Sequence, residues 1–180
     1  MSVLDKAGFR AIIAGLTGLS DGATRWALDP QAFISDQDRA CVELRVFSIT
    51  SLGVDEHRRD FGPPGYPSSS YVITEIGNRT LHITIRAETY DKGVEAAEVL
   101  DQIRTRIRAE AVRDQLNAIN LAFVEAQPAT MVSYQVDERV VSAAIADFTF
   151  AGIAQYVSDP DAPYIETVNT DDIVPGTLTQ

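Results

Sequence analysis

From Leu81 to Arg86 apolar and polar side chains alternate without a break: Leu81, Ile83 and Ile85 against His82, Thr84 and Arg86. Among regular conformations, only a strand with one face buried turns a period of two into a core. The stretch is the centre of a longer one, 71–90, in which Gly77-Asn78 reads as a bulge or bend. Residues 41–52 alternate as well, with Val42, Leu44, Val46 and Ser48 on one face and Glu43, Arg45, Phe47 and Ile49 on the other. Phe47 and Ile49 on the nominally polar face imply that it is covered for part of its length. The two segments are predicted to form a long antiparallel hairpin. Between them, 53–70 holds three prolines, three glycines and three serines behind the charged run DEHRRD. We expect an irregular, charged tip there.

Helical spacing marks two regions. In 2–19, Val3, Ala7, Ile12, Ile13 and Leu16 recur near every third or fourth residue, with Ser2 as the expected cap, Asp5 three residues on, and Gly15 and Gly18 at the end. In 92–119 the series is Val94, Ala97, Leu100, Ile103 and Ile107, after Asp91 as the expected N-cap. Early acids and later arginines suit the helix dipole, and Asp101–Arg104 is available as a pair. The phase drifts after Ala109, which predicts a break and a second short helix near 110–119. Residues 20–39 read as a connector with extended pieces, whose Trp26, Leu28, Phe33 and Ile34 pack on the core edge.

The remainder is again strand-like. Residues 121–127 fit a strand stopped by Pro128, and 130–136 leave a turn or a short helix open. Residues 138–157 fit a last long strand, in which Val141, Ala143, Ile145, Phe148 and Phe150 need one bulge to share a face. Strands in pairs with helices between them give an α+β fold: a mostly antiparallel sheet with a long hairpin and helices packed on one face. We place a single domain at 1–157 and an acidic, extended C-terminal arm at 158–180. In that arm Ile165 and Val168 can add to a sheet edge.

Charge narrows the function. The 180 residues carry 26 acids and 15 bases, a net −11, and 13 of the bases are arginine. Beyond Arg139 there is no base, so 140–180 holds −6 of that total. This balance argues against a protein that coats nucleic acid or a polybasic membrane binder. Asp5, Lys6 and Arg10 interrupt any secretory pattern, and no apolar run approaches a membrane span, so a soluble intracellular domain is expected.

The residues of chemistry are sparse. The lone Cys41 opens a strand and reads as a plain buried cysteine. His57 reads as a solvated loop histidine, and His82 as pointing away from the core. Asp171-Asp172 is a weak candidate for a divalent cation. No phosphate-binding loop, dinucleotide fingerprint, EF-hand or nucleophile elbow occurs. We therefore assign no catalytic residue, cofactor or metal. Contacts with a partner or a second subunit are the better expectation. Arg58, Arg59, Phe61 and Tyr66 are the loop candidates, and Arg104 and Arg108, one turn apart, the helical ones.

The layout resembles tailed-phage neck and tail terminator proteins. It does so in the strand phrase EIGNRTLHITIRAETYD, the helix EAAEVLDQIRTRI and the phrase LAFVEAQPATMVSYQVDERVVSAAIADFTFAG. In that family a Gly-x-Arg-x-hydrophobic strand, here Gly77, Arg79, Leu81 and Ile83, leads to a helix. A short strand, a variable turn and an "E-R-hydrophobic" strand start follow, the last being Glu138-Arg139-Val140 here. The similarity runs over about residues 1–157. It implies a non-enzymatic structural virion protein of the neck, usually a homohexameric ring, assembled in the host cytoplasm. Such a ring caps the tail tube and joins the tail to the head-side connector, and to a sheath if the tail is contractile. DNA would pass through its lumen without sequence-specific binding, and an acidic channel suits that. Another head–tail joining or tail completion subunit is a close alternative. A small α+β ligand-binding domain is an alternative of a different class.

Overall fold

The strand pattern around Leu81–Arg86 becomes the centre of the sheet. In the computed structural model, which describes residues 4–19, 21–28, 40–61, 71–90, 95–136 and 139–157, β4 runs Tyr71–Thr89 and β8 runs Arg139–Val157. They pair antiparallel from Thr74↔Val157 to Thr89↔Ser142. Along β4's other side lie β2 (Ala40–Ser51) and then β3 (Glu56–Phe61). Along β8's other side lie β5 (Leu121–Ala126), β6 (Thr130–Met131) and β7 (Tyr134–Val136). A short β1 (Thr24–Trp26) joins β2 in parallel. The fold is thus α+β, with two long interrupted hairpins laid side by side in a mostly antiparallel sheet.

Three helices cover one face: α1 (Lys6–Thr17), α2 (Ala96–Arg106) and α3 (Glu110–Ala118). Their buried residues, among them Phe9, Ile13, Leu100, Ile103 and Leu116, join Val42, Leu44, Leu81, Ile83, Ile85, Phe148 and Phe150 in one core. Each large side chain so buried contributes ~1.5–3 kcal/mol. Phe9 meets Phe150 edge-on, with ring centroids 5.1 Å apart.

The helix ends differ from expectation in instructive ways. Asp5, not Ser2, caps α1; its Oδ1 accepts from Ala7 N and Gly8 N at 3.1 and 3.0 Å. Gly18, left-handed at φ 68°, ends it and donates to Ala14 O. Asp91, the expected cap of the second helix, lies outside the described residues, and α2 begins only at Ala96. Glu95 precedes it without a side-chain cap, and Ser142 Oγ on β8 accepts from Ala96 N instead, at 3.2 Å. Arg106 Nη1 donates to Leu16 O in the last turn of α1, tying the two helices at 2.6 Å. The expected break falls between Arg106 and Glu110. The Asp101–Arg104 pair is not formed among the described residues; both side chains sit in solvent, where such a pair gains little.

Several strand expectations are corrected. The run 56–61 is not loop but β3, because β4 continues past the core and pairs with it antiparallel from Glu56↔Ile76 to Phe61↔Tyr71. Gly77-Asn78 does not bend β4. The irregularity lies opposite, where Leu52–Asp55 bridge from β2 to β3 and Leu52 N donates to Asn78 O at 2.9 Å. A bulge at Phe47 shifts the register between Val46↔Ile83 and Ser48↔His82. One extra residue inverts the side-chain parity, so Ser48 leaves the helix-side face and Ile49, opposite Leu81, takes it beyond the limit of the core, where it stays 47% exposed. Phe47 is not covered but 77% exposed.

Residues 130–136 form β6 and β7 rather than a turn or helix, because β8 continues past β5 and offers them an edge. β8 needs no bulge against β4: Ala144 and Ala146 share the face of Phe148 and Phe150, with Val141, Ala143 and Ile145 on the other. Trp26 packs on Phe9 as expected, with ring centroids 5.9 Å apart, and its Nε1 donates to Lys6 O. Leu28, 95% exposed, does not pack, since it lies past the end of β1. Phe33 and Ile34 lie outside the described residues.

Candidate interaction surface

The core stops at Leu81 and Phe150, but the strands do not. Among the described residues, 47–80 and 151–157 contribute no side chain to it. Beyond it β3, the first half of β4 and the end of β8 continue as a three-stranded ribbon.

Backbone ladders hold the ribbon where apolar burial is missing, and polar side-chain contacts line it. Arg58 Nε donates to Glu56 Oε1 two residues back, at 2.8 Å. His57 faces Glu75 across the hairpin, Nδ1 to Oε1 at 3.3 Å. At the base, Arg79 donates from Nη1 and Nη2 to both oxygens of Asp55, at 2.7 and 2.5 Å. Nη1 also reaches Ser51 Oγ at 3.1 Å. This two-pronged bond joins the β2–β3 bridge to β4. The Arg79 hydrogen bond holds the Asp55 carboxyl below the usual range. Gly77 lies two residues before Arg79 on the same strand face, and a Cβ there would run into both the Arg79 guanidinium and the Asp55 carboxylate. The Gly-x-Arg spacing therefore has a mechanical reason: the glycine is the floor over which the ion pair lies.

Two sheet edges are open on this ribbon. Among the described residues, the outer side of β3 has no strand partner, nor does β2 beyond Leu44, where β1 ends. On the opposite side, β8 has no strand partner among the described residues beyond Gly152, where its pairing with β5 stops. Unpaired edges are templates for another chain. Exposed apolar side chains follow them: Phe47, Ile49, Leu52 and Val54 (96% exposed) on the first, Ile153 on the second. Clusters of this kind mark contact surfaces.

The candidate residues separate into three groups. Arg58 is exposed on β3, and Arg59 and Phe61 belong to the same strand, opposite Ile73 and Tyr71. Tyr66, Ile165 and Val168 lie outside the described residues. Arg104 and Arg108 are on the helix layer, where Arg108 sits 5.7 Å over the Phe123 ring. Asp55, Gly77, Phe47 and Val54 were not singled out as contact or bracing residues. The readable signal was the opposite charge at alternate positions in 56–58, which suits a strand pair.

A second polar cluster lies at the far end of β4. Glu88 accepts from Tyr90 Oη at 2.9 Å, Tyr134 Oη at 3.0 Å and Arg86 Nη2 at 2.6 Å. The buried Cys41 Sγ is 3.8 Å away, and burial first, then the Glu88 charge, pushes its thiol up to about 11. Desolvation and the bonds to Glu88 likewise raise both phenols. A raised group adds stability that is complete below its ordinary value and lost as pH rises through the shifted one; a lowered carboxyl behaves oppositely. We expect melting temperature to fall in acid as Asp55 protonates and in alkali as this cluster ionises. Asp55→Asn should flatten the acid limb and Tyr90→Phe the alkaline one; unchanged limbs in thermal melts across pH would refute the assignment.

An open cleft of about 400 Å³ lies between α3 and the ribbon base, lined by Arg79, Asn117, Asn120, Leu121 and Gly152. Among the described residues no group of three His, Cys, Asp or Glu side chains converges to hold a metal. No described helix is long and apolar enough to cross a membrane. No protein-family model matches the chain, and no curated protein does either.

Proposed function

We propose that this chain is a structural virion subunit, a tail terminator of the phage neck, which forms a homohexameric ring, caps the tail tube and joins the tail to the head-side connector. The observation that carries the reading is the ribbon with two different open edges on its opposite sides. When one copy's β3 edge meets the next copy's β8 edge, the contact is heterologous, and such contacts close into rings when the rotation permits. The sheet face away from the helices carries paired polar groups: Thr84 with Asp147 at 2.7 Å, Thr149 with His82 at 3.3 Å and Arg25 with Glu43 at 3.5 Å. With a net −11, the subunit suits a channel that DNA traverses without being held. Its partners would be further copies of itself, the tail tube protein, a head-side neck protein and, in a contractile tail, the sheath.

Light scattering and negative-stain imaging test this. We expect rings of homohexamer mass, against 19.6 kDa for one chain, that bind purified tail tubes. A strict monomer at high concentration would sink the proposal. Rings that bind filled heads but not tubes would reassign the chain to head–tail joining.

A further inference from the structure

A second cleft, of about 350 Å³, opens on the helix layer between α3 and β5. Its floor is apolar, with Leu116, Ala122, Phe123 and Val124, and its rim carries Arg108 and Arg113 with no acid in the lining. Arg108 has no acidic partner among the described residues and lies over Phe123. Arg113 has only a 3.5 Å contact with Glu110, both side chains largely in solvent. Among the described residues β5 is the last strand of the sheet on this side, and a register shift at Val124 leaves that side chain about half exposed. A site of this form suits an extended segment with apolar and acidic residues interleaved.

The chain itself contains such a segment. Beyond Val157 it carries Asp159, Asp161, Glu166, Asp171 and Asp172, interleaved with Ile165, Val168, Ile173 and Val174, and no Lys or Arg. We propose that residues 159–174 of a neighbouring copy dock in this cleft, with carboxylates on Arg108 and Arg113 and Ile165 and Val168 over Leu116 and Phe123. The occupant is the neighbour's segment for a geometric reason. β8 ends at Val157 opposite Thr74, whereas the cleft lies level with Phe150, the partner of Phe123. A chain's own segment would have to reverse and retrace seven strand positions, roughly 23 Å at ~3.3 Å each, which takes seven of the eight positions between Val157 and Ile165 and leaves too few for the turn. The ribbon end instead points to where the ring reading, on which this inference rests, puts the next copy.

Cross-linking between two differently tagged copies tests it, one carrying Val124→Cys and the other Val168→Cys, joined by a short bismaleimide. Native chain is the control, since Cys41 is buried. We expect a heterodimeric product. Arg108→Glu with Arg113→Glu should abolish it and raise the concentration needed for assembly about tenfold, from two exposed ion pairs. Asp171→Lys with Asp172→Lys should restore both in that background. Rings without the cross-link would overturn the docking while the ring reading stands. A cross-link between copies without rings would do the reverse. A product confined to a single chain carrying both cysteines would also overturn it.

Discussion

Phe150→Ala is expected to lower the unfolding free energy by about 3–5 kcal/mol, the range for removing a large aromatic from a packed core. Phe150 is fully buried, stands edge-on to Phe9 at 5.1 Å and lies 5.8 Å from Phe123. It therefore joins three elements, α1, β5 and β8, and pairs in register with Leu81 on β4. No neighbouring backbone can close the space without breaking that register. Denaturant melts read the loss directly; a change below about 1 kcal/mol, typical of a tolerant site, would remove Phe150 from the centre of the core.

The second large effect separates folding from assembly. Replacing Val54–Ser70 by a short Gly-Ser linker should leave the core intact and abolish the ring. The excised segment contains β3 and one partner of the Asp55–Arg79 bond, but no core side chain among its described residues. The circular dichroism spectrum should stay near that of the intact chain and the thermal transition stay cooperative, lowered by no more than Asp55→Asn lowers it, while scattering reports monomers. Loss of the cooperative transition would mean that the ribbon is part of the folding unit. Unaltered rings would exclude the β3 edge from assembly.

Much of the fold was legible because burial writes a period into the chain. The alternation of Leu81, Ile83 and Ile85 and the series Leu100, Ile103 and Ile107 each correspond to one buried face. What was not legible follows from partners distant in sequence. β3 is polar throughout its described side chains, so no apolar period announces it; it is a strand because β4 continues past the core and offers it a ladder. The parity of β2 changes at Phe47 through one extra residue, which composition does not mark. Ser142 stands in for a helix cap from 46 residues away. The Gly77–Arg79 spacing was visible, but its meaning required Asp55, 24 residues earlier. The candidate contact residues were legible as residue types but not as places: Arg58–Phe61 fall on β3 of the ribbon, and Arg104 and Arg108 on the helix layer.

The shared strands of core and ribbon give the subunit a load path. β4 and β8 are each 19 residues, roughly 60 Å at ~3.3 Å per residue, and pair at sixteen positions from the ribbon to the end of the core. Antiparallel hydrogen bonds lie perpendicular to the strands. A pull on the ribbon along its axis therefore strains these rungs together in shear instead of peeling them one by one. Among the described residues no break interrupts either strand between ribbon and core, so in the proposed ring tension from a neighbour would pass straight into the packed layer beneath the helices, the unit acting as a stiff tie rather than a tethered hook.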